Sequence, residues 1–198
     1  SPMKSYTNPV FAYRPSTDQH CAAPARHPVV VIGAGPVGLC TAIDLAAQGQ
    51  AVLVLDDDQT VSVGSRAVCH AKRTLEILDR LGCGQPVVDK GVTWNVGRTF
   101  FGEKEVFNFN LLPEAGHERP GMVNLQQYYL EQYLVERAQQ LPNIDLRWKH
   151  KLISLTQADD HAVRLGAAAL LLARFPDAAQ VIGSDAPGAD IAPGSFVV

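Results

Sequence analysis

The sequence predicts an α/β protein: a Rossmann-like β-α-β unit with a parallel sheet, followed by β-hairpins. Three observations carry that reading. Val29-Val30-Val31-Ile32 is a continuous apolar run, the pattern of a strand buried on both faces. It leads into Gly33-Ala34-Gly35-Pro36-Val37-Gly38, after which Leu39, Cys40, Ala42, Ile43, Leu45 and Ala46 continue at helical spacing until Gly49. A second apolar run, Val52-Leu53-Val54-Leu55, stops abruptly at Asp56-Asp57-Asp58. A helical crossover between two such strands makes them parallel neighbours.

The later elements follow from periodicity. Lys72 to Leu81 is an amphipathic helix with Leu75, Leu78 and Leu81 on one stripe and Gly82 at its end. From Thr93 to Leu111 the apolar residues alternate about Gly102-Glu103-Lys104, which predicts a hairpin with Trp94, Phe100, Phe107 and Phe109 in its core. A helix from about Leu125 to Leu141 buries Leu130, Tyr133, Leu134, Ala138 and Leu141, and Pro142 ends it. Ile144, Leu146 and Trp148 alternate as a strand. Ile153 and Leu155 pair with Val163 and Leu165 across an Asp159-Asp160 turn.

The ends differ from this middle. Residues 1–26 have no period and contain Pro9, Pro15 and Pro24, so they read as an arm, extended or disordered unless it docks. Ser1-Pro2-Met3 reads as a remnant of expression ahead of a natural start at Met3. Residues 27–165 form the main domain, and 166–198 a tail rich in Ala, Gly and Pro with Arg174 as its one basic residue. Within the tail, Ala167 to Ala173 reads as a buried helix without a polar face, and Phe196-Val197-Val198 as a strand-like end.

Composition excludes several function classes. The 198 residues carry 17 Lys plus Arg against 20 Asp plus Glu, a net charge of −3, which argues against a nucleic-acid surface or a polybasic membrane patch. No apolar run approaches the ~18 residues of a membrane span. Cys21, Cys40, Cys69 and Cys83 form no CxxC pair, so zinc-ribbon and thioredoxin readings fail and separate thiols in a reducing cytoplasm are expected. His70, His117, His150 and His161 lack metal-ligand spacing and are expected on the surface or in loops.

The chemistry lies in Gly33 to Gly38. G-x-G-x-x-G after a strand and opening a helix, with an acid cluster 23 residues beyond Gly33, is the dinucleotide fingerprint. Gly33 permits the tight turn, Gly35 lets backbone approach a pyrophosphate, and Gly38 lets helix and strand pack closely. Phosphates would sit among the N–H groups of the helix N-terminus, where Pro36 costs no hydrogen bond. Asp56 is the candidate acceptor for the adenosine ribose hydroxyls, with Asp57 beside it. Three acids here would repel the 2′-phosphate of NADP.

Three further blocks occur in order: Ser65-Arg66-Ala67-Val68; Arg73-Thr74-Leu75-Glu76-Ile77-Leu78 with Leu81-Gly82; and Met122-Val123-Asn124-Leu125-Gln126-Gln127, followed by Glu131 and Leu134. Together they resemble the single-component FAD-dependent aromatic hydroxylases of the phenol and 3-(3-hydroxyphenyl)propionate hydroxylase kind, over roughly His27 to Leu165. The resemblance implies a Rossmann-like FAD-binding fold in which Arg66, with Ala67, approaches the ribityl-pyrophosphate region and Gln127 also contacts FAD. It implies a monooxygenase in which NAD(P)H reduces FAD and O2 then hydroxylates a small phenolic or aromatic substrate. Arg73 is expected to pair with Glu76.

Two later blocks of that family are missing: an Asp-Gly segment followed by Ser and Arg, and a Gly-Asp-Ala block. Gly183-Ser184-Asp185-Ala186-Pro187 does not fit the second and reads as a loop. The expectation is therefore an FAD-binding portion, incomplete at its C-terminus and inactive as this short chain. No side chain is assigned a catalytic role and no metal is expected. An uncovered apolar face would favour a homo-oligomer. Two alternatives stand beside this reading. One is a non-catalytic dinucleotide-binding module. The other, an NAD-dependent dehydrogenase domain, fits Gly33 to Asp56 but leaves the Arg66 and Gln127 blocks unexplained.

Overall fold

A computed structural model describes residues 6–64, 66–159, 162–172, 179–182 and 194–197. In chain order the elements are β1 (Ala25–Arg26), β2 (Val30–Ile32), α1 (Pro36–Ala47), β3 (Val52–Leu55), β4 (Cys69–Ala71), α2 (Lys72–Leu81), α3 (Gly84–Lys90), β5 (Val92–Trp94) and β6 (Val96–Phe101). They continue with β7 (Lys104–Asn110), β8 (Met122–Asn124), α4 (Gln127–Gln139), β9 (Ile144–Arg147), β10 (His150–Asp159), β11 (Ala162–Leu172), β12 (Ala179–Ile182) and β13 (Gly194–Val197). The chain divides into two units, Ser1–Val61 with Ala138–Val198, and Ser62–Arg137. Ser1-Pro2-Met3, Ser65, Asp160, His161, Ala173, Arg174, the 183–187 loop and Val198 lie outside the described residues.

The first unit contains the parallel sheet expected from the two apolar runs. Its order is β2-β3-β9, with Val30 opposite Leu53 and Val52 opposite Ile144. The four residues of β3 are all buried, because β3 is central and α1 packs on it. α1 buries Leu39, Ala42, Ile43 and Ala46. Leu53 and Leu55, alternating with Val52 and Val54, share a core cluster with Leu165 and Ala167, against which Val30 and Leu152 pack. The expectation that β2 is buried on both faces is corrected. It is the edge strand of this sheet among the described residues, and Ile32 stays 47% exposed.

β10 and β11 form the hairpin expected from Ile153, Leu155, Val163 and Leu165, with Leu155 opposite Leu165. The stretch read as a helix from Ala167 is instead the second half of strand β11. It pairs with β10 along one edge and with β12 and β13 along the other. An apolar run without a polar face suits a strand with neighbours on both edges as well as a buried helix, so pattern alone does not separate them.

The arm docks. Phe11 donates its N–H to the Gln59 carbonyl at 2.7 Å and Asn8 donates to the Val61 carbonyl at 3.0 Å. Phe11 stacks on Trp148 at 4.4 Å between centroids, and Tyr13 on His150 at 5.4 Å. Asp18 meets the Arg147 guanidinium at 2.7 Å and His27 at 3.0 Å, and Arg147 also reaches Asp145 at 2.6 Å. Asp18, Arg147 and His150 are buried, which corrects the surface reading of His150.

The second unit holds the antiparallel sheet β4-β8-β5, helices α2 and α3, and the hairpin β6-β7. α2 has the predicted bounds and buries the predicted Leu75, Leu78 and Leu81. Gly82 ends it with φ +84°, a left-handed position that suits glycine. Arg73 and Glu76 pair at 3.4 Å as expected, and Lys72 also meets Glu76. His70 is buried, with Nε2 3.0 Å from the Leu125 carbonyl, so it too is no surface histidine.

The 93–111 region is only partly as expected. Trp94 belongs to β5 and pairs across to β8 rather than to the hairpin. The hairpin β6-β7 forms about Gly102 but is exposed along almost its whole length, with Phe101 at 82% and Phe107 at 61%. Phe100, Phe107 and Phe109 are therefore not a core. The Phe109 ring lies over its cross-strand partner Gly97, where a Cβ would come within 2.2 Å of it.

Candidate cofactor site

At the turn from β2 to α1 every glycine has a separate physical reason. Gly33 has φ +100° and donates its N–H to the Leu55 carbonyl at 2.7 Å, so the turn closes over the end of β3. Gly38 lies so close to that turn that a Cβ would stand 1.9 Å from the Gly33 carbonyl oxygen. A Cβ on Gly35 would meet nothing within 4 Å. Gly35 is the N-cap of α1 and Pro36 its first residue, so the open space borders the N–H groups that a helix leaves unpaired in its first turn. The geometry suits a phosphate: the positive end of a helix, with backbone able to approach.

Asp56, at the end of β3, is tied to this turn. Its Oδ2 accepts the Ala34 N–H at 2.5 Å and its Oδ1 accepts the Asp58 N–H at 2.8 Å. Its backbone N–H goes to the Arg147 carbonyl at 3.0 Å. Burial pushes the carboxyl above its ordinary value, the Ala34 and Asp58 N–H groups pull against that, and the Asp57 and Asp58 charges add to the rise. An ionised carboxylate offers about four lone-pair sites, so Asp56 has the capacity to accept hydrogen bonds beyond these two. Asp57 is exposed and Asp58 caps the loop, its carboxylate taking the Gln59 N–H at 2.7 Å. The residues present thus fit the adenosine diphosphate end of a dinucleotide.

In the second unit Arg66 and Ala67 are exposed in the bend before β4, and Arg66 makes no ion pair among the described residues. Gln127 opens α4 and is half-buried. Its Nε2 donates to Glu131 Oε1 at 2.6 Å and lies 3.3 Å from Ser62 Oγ. Glu131, only 3% exposed, also accepts the Ser62 N–H at 2.6 Å on Oε2 and the Ser62 hydroxyl at 2.7 Å on Oε1. Sequence reasoning picked out Gln127 and Glu131 as a block but had no sign of Ser62, 69 positions upstream of Glu131.

A cavity of about 590 Å³ lies elsewhere, lined by Val10, Arg14, Asp145, Arg147 and Trp148 among others and by no residue of Gly33 to Gly38. It belongs to the seat of the arm. Among the described residues no helix is long and apolar enough to cross a membrane.

A parallel β-α-β unit with a phosphate-compatible glycine turn and a ribose-compatible acid defines a dinucleotide-binding α/β protein. Comparison with known proteins narrows the class. The chain belongs to the FAD binding domain family, whose model matches residues 26–168. It is 32% identical over 134 residues to the para-nitrophenol 4-monooxygenase of Pseudomonas sp. (strain WBC-3), covering 66% of this chain and 33% of that protein. It is 27% identical over 138 residues to the 3-(3-hydroxy-phenyl)propionate/3-hydroxycinnamic acid hydroxylase of Mycobacterium sp. (strain JLS), covering 69% of this chain and 24% of that protein. The crystal structure of p-nitrophenol 4-monooxygenase PnpA from Pseudomonas putida DLL-E4 matches with TM-score 0.68 and 31% identity, over 74% of this chain and 38% of that one. The chain thus spans about a third or less of the length of these curated relatives. The resemblance to FAD-dependent aromatic hydroxylases holds, and the NAD-dependent dehydrogenase reading gives way to it.

Proposed function

We propose that the chain holds FAD, with the pyrophosphate at the Gly33–Gly38 turn and the adenosine ribose on Asp56. The observation that carries this is the open space off Gly35 at the N-terminus of α1, with Asp56 bonded to Ala34 of the same turn. Ala34, Pro36 and Val37 contribute backbone to the same cradle, and Asp57 contributes charge. Arg66, with Ala67 next to it, is read as a donor to the pyrophosphate-ribityl region and Gln127 as a ribityl contact. Residues 27–165 are then the cofactor-binding part, preceded by the arm of 1–26 and followed by the tail of 166–198.

The parent activity we infer is hydroxylation of a small aromatic, phenolic compound. Bound FAD would supply the redox chemistry: it takes a hydride from NAD(P)H and activates O2, so that one oxygen atom enters the ring and the other leaves as water. This chain's own residues bind and orient the cofactor. No side chain of the chain is assigned a catalytic role. We read the setting as the reducing cytoplasm, on the four separate cysteines.

The test is direct. The purified chain should carry flavin absorbance or regain it on incubation with FAD, without substrate-stimulated NAD(P)H oxidation. A folded chain that takes up no FAD would overturn the reading in favour of a module with another ligand. Turnover with a phenol would overturn the expectation of binding without catalysis.

A further inference from the structure

The hairpin β6-β7 sorts its side chains by face. Cross-strand partners share a face, so Gly97 with Phe109 and Thr99 with Phe107 lie on one side, and Phe101 follows two positions beyond Thr99. The Phe107 and Phe109 rings are 6.0 Å apart between centroids, and Trp94 of β5 meets Phe109 edge-on at 6.5 Å. The other side carries a polar cluster: Arg98 lies 3.6 Å from Glu105, and Asn108 Nδ2 donates to Glu105 at 2.7 Å. On the aromatic side a charge stands at the turn end, where Lys104 is opposite Phe101, and the stretch from there to Phe109 carries none.

Among the described residues this aromatic side is left in water, with Phe101 82%, Phe107 61% and Phe109 38% exposed. A two-stranded sheet without a covered face is marginal in water, so the hairpin gains from a partner. At roughly 200 Å² per aromatic side chain, the three rings leave on the order of 350 Å² uncovered. Gly97, Thr99 and the Lys104 stem bring the face to about 500 Å², so two such faces packed together bury about 1,000 Å², the lower bound of a specific interface. We propose that the aromatic side of this hairpin docks on the same side of a second copy of the chain, across a two-fold axis, as a weak dimer. A like face is the matching occupant: its rings pack offset or edge-on against these, and it brings no charge to be stripped of water at the centre. With the two hairpins antiparallel, the two Lys104 ammonium groups stay at opposite ends of the interface. Thr99 and Phe107, midway along the face, then meet the same residues of the second copy.

The experiment is sedimentation velocity of the full chain, with circular dichroism and thermal midpoints measured in parallel. Between about 1 and about 300 µM the chain should pass from monomer to dimer with a dissociation constant on the order of 10 µM, since larger interfaces than this begin at micromolar. Phe107→Thr, which keeps a strand-forming residue at an exposed position, should weaken the dimer at least about tenfold. Thr99→Lys should abolish it, because like charges then meet near the axis, and so should Thr99→Glu. An equimolar mixture of the two Thr99 variants should dimerise again. Phe100→Thr, on the polar side, should leave the dissociation constant unchanged. Should the Thr99 variants not fold, Phe107→Thr against Phe100→Thr decides in their place.

A chain that stays monomeric up to about 300 µM overturns the proposal. If that monomer also sediments with phosphatidylcholine vesicles, the aromatic side belongs to a lipid surface instead. A dimer untouched by Phe107→Thr, or weakened equally by Phe100→Thr, uses another surface and overturns it as well. Folded Thr99 variants whose mixture stays monomeric overturn the two-fold arrangement. FAD uptake enters none of these readings, so the cofactor proposal and this one fail separately.

Discussion

At the Gly33–Gly38 turn the chain's course is dictated by space around the backbone. Gly33 needs a left-handed φ, Gly38 has no room for a Cβ, and Gly35 faces open space beside a helix N-terminus. At the seat of the N-terminal arm the course is dictated by side-chain pairs instead: Asp18 on Arg147, Phe11 on Trp148 and Tyr13 on His150. Both regions belong to the same unit and both lean on the strand pair β3-β9. The difference separates two kinds of cost. Filling the open space off Gly35 removes a ligand while largely sparing the fold, whereas cutting the arm's pairs weakens the fold while sparing the ligand.

The largest expected effect tests the second half of that contrast. Arg147→Met leaves Asp18 buried without its guanidinium partner, and removing one member of a buried pair costs about 3–5 kcal/mol. His27, 3.0 Å from Asp18, softens the loss, so about 3 kcal/mol is expected in urea unfolding, with FAD affinity of the folded fraction unchanged. A parallel fall in FAD affinity would break the contrast. Gly35→Val tests the first half. The valine occupies the space a pyrophosphate needs, so FAD affinity should fall on the order of 100-fold, about 2.7 kcal/mol, while the poorer N-cap lowers unfolding stability by no more than about 1 kcal/mol. Unchanged affinity in a folded variant would remove the phosphate from this turn.

The same contrast explains what could be read from the sequence. The turn, α1, β3 and α2 were legible because each rests on neighbours in sequence: glycines at fixed offsets, an all-apolar central strand, a leucine stripe closed by Gly82. The arm was legible only as an arm, since its partners Trp148, Arg147 and His150 lie more than 120 positions away and nothing local marks them. Strands β4, β8 and β5 have three residues each, too few to show a period, and β8 is recognised only by pairing on both sides. In the hairpin the alternation was real but its meaning was not. Period 2 marks a strand with two unlike faces, whereas consecutive Phe100 and Phe101 place aromatics on both, and each is exposed. At the candidate site, Gln127 was readable by resemblance, and its tie to Ser62 arises from tertiary contact alone.

The smallest expected effect uses pH to separate the two regions, because their titrating groups are shifted in opposite directions. Burial lowers the His150 value, helped by the Arg147 charge and opposed by the Trp148 carbonyl and Asp145. Burial raises Asp18, but hydrogen bonds and charge from Arg147, then His27, outweigh it and hold the carboxyl below its ordinary value. For both groups the unfolded chain binds protons more readily, so their stabilisation is present above the unfolded pKa and is lost on acidification. His150 acts first, as pH falls below about 6.5 toward its folded value, and Asp18 follows below about 3.9. Asp56 is shifted upward, so its effect on stability has the reverse sign: the folded chain binds its proton more readily, and acid eases rather than strains the turn. Amide exchange at Phe11, whose N–H is held by the Gln59 carbonyl, should therefore speed up, relative to the intrinsic rate, between neutral pH and pH of about 5. Exchange at Ala34, held by Asp56, should not follow it in that range. His150→Phe keeps a ring against Tyr13 and removes the titration, so it should flatten the Phe11 response. If Phe11 and Ala34 instead open together at every pH, the arm and the turn form one cooperative unit, and the division between space-determined and pair-determined regions fails.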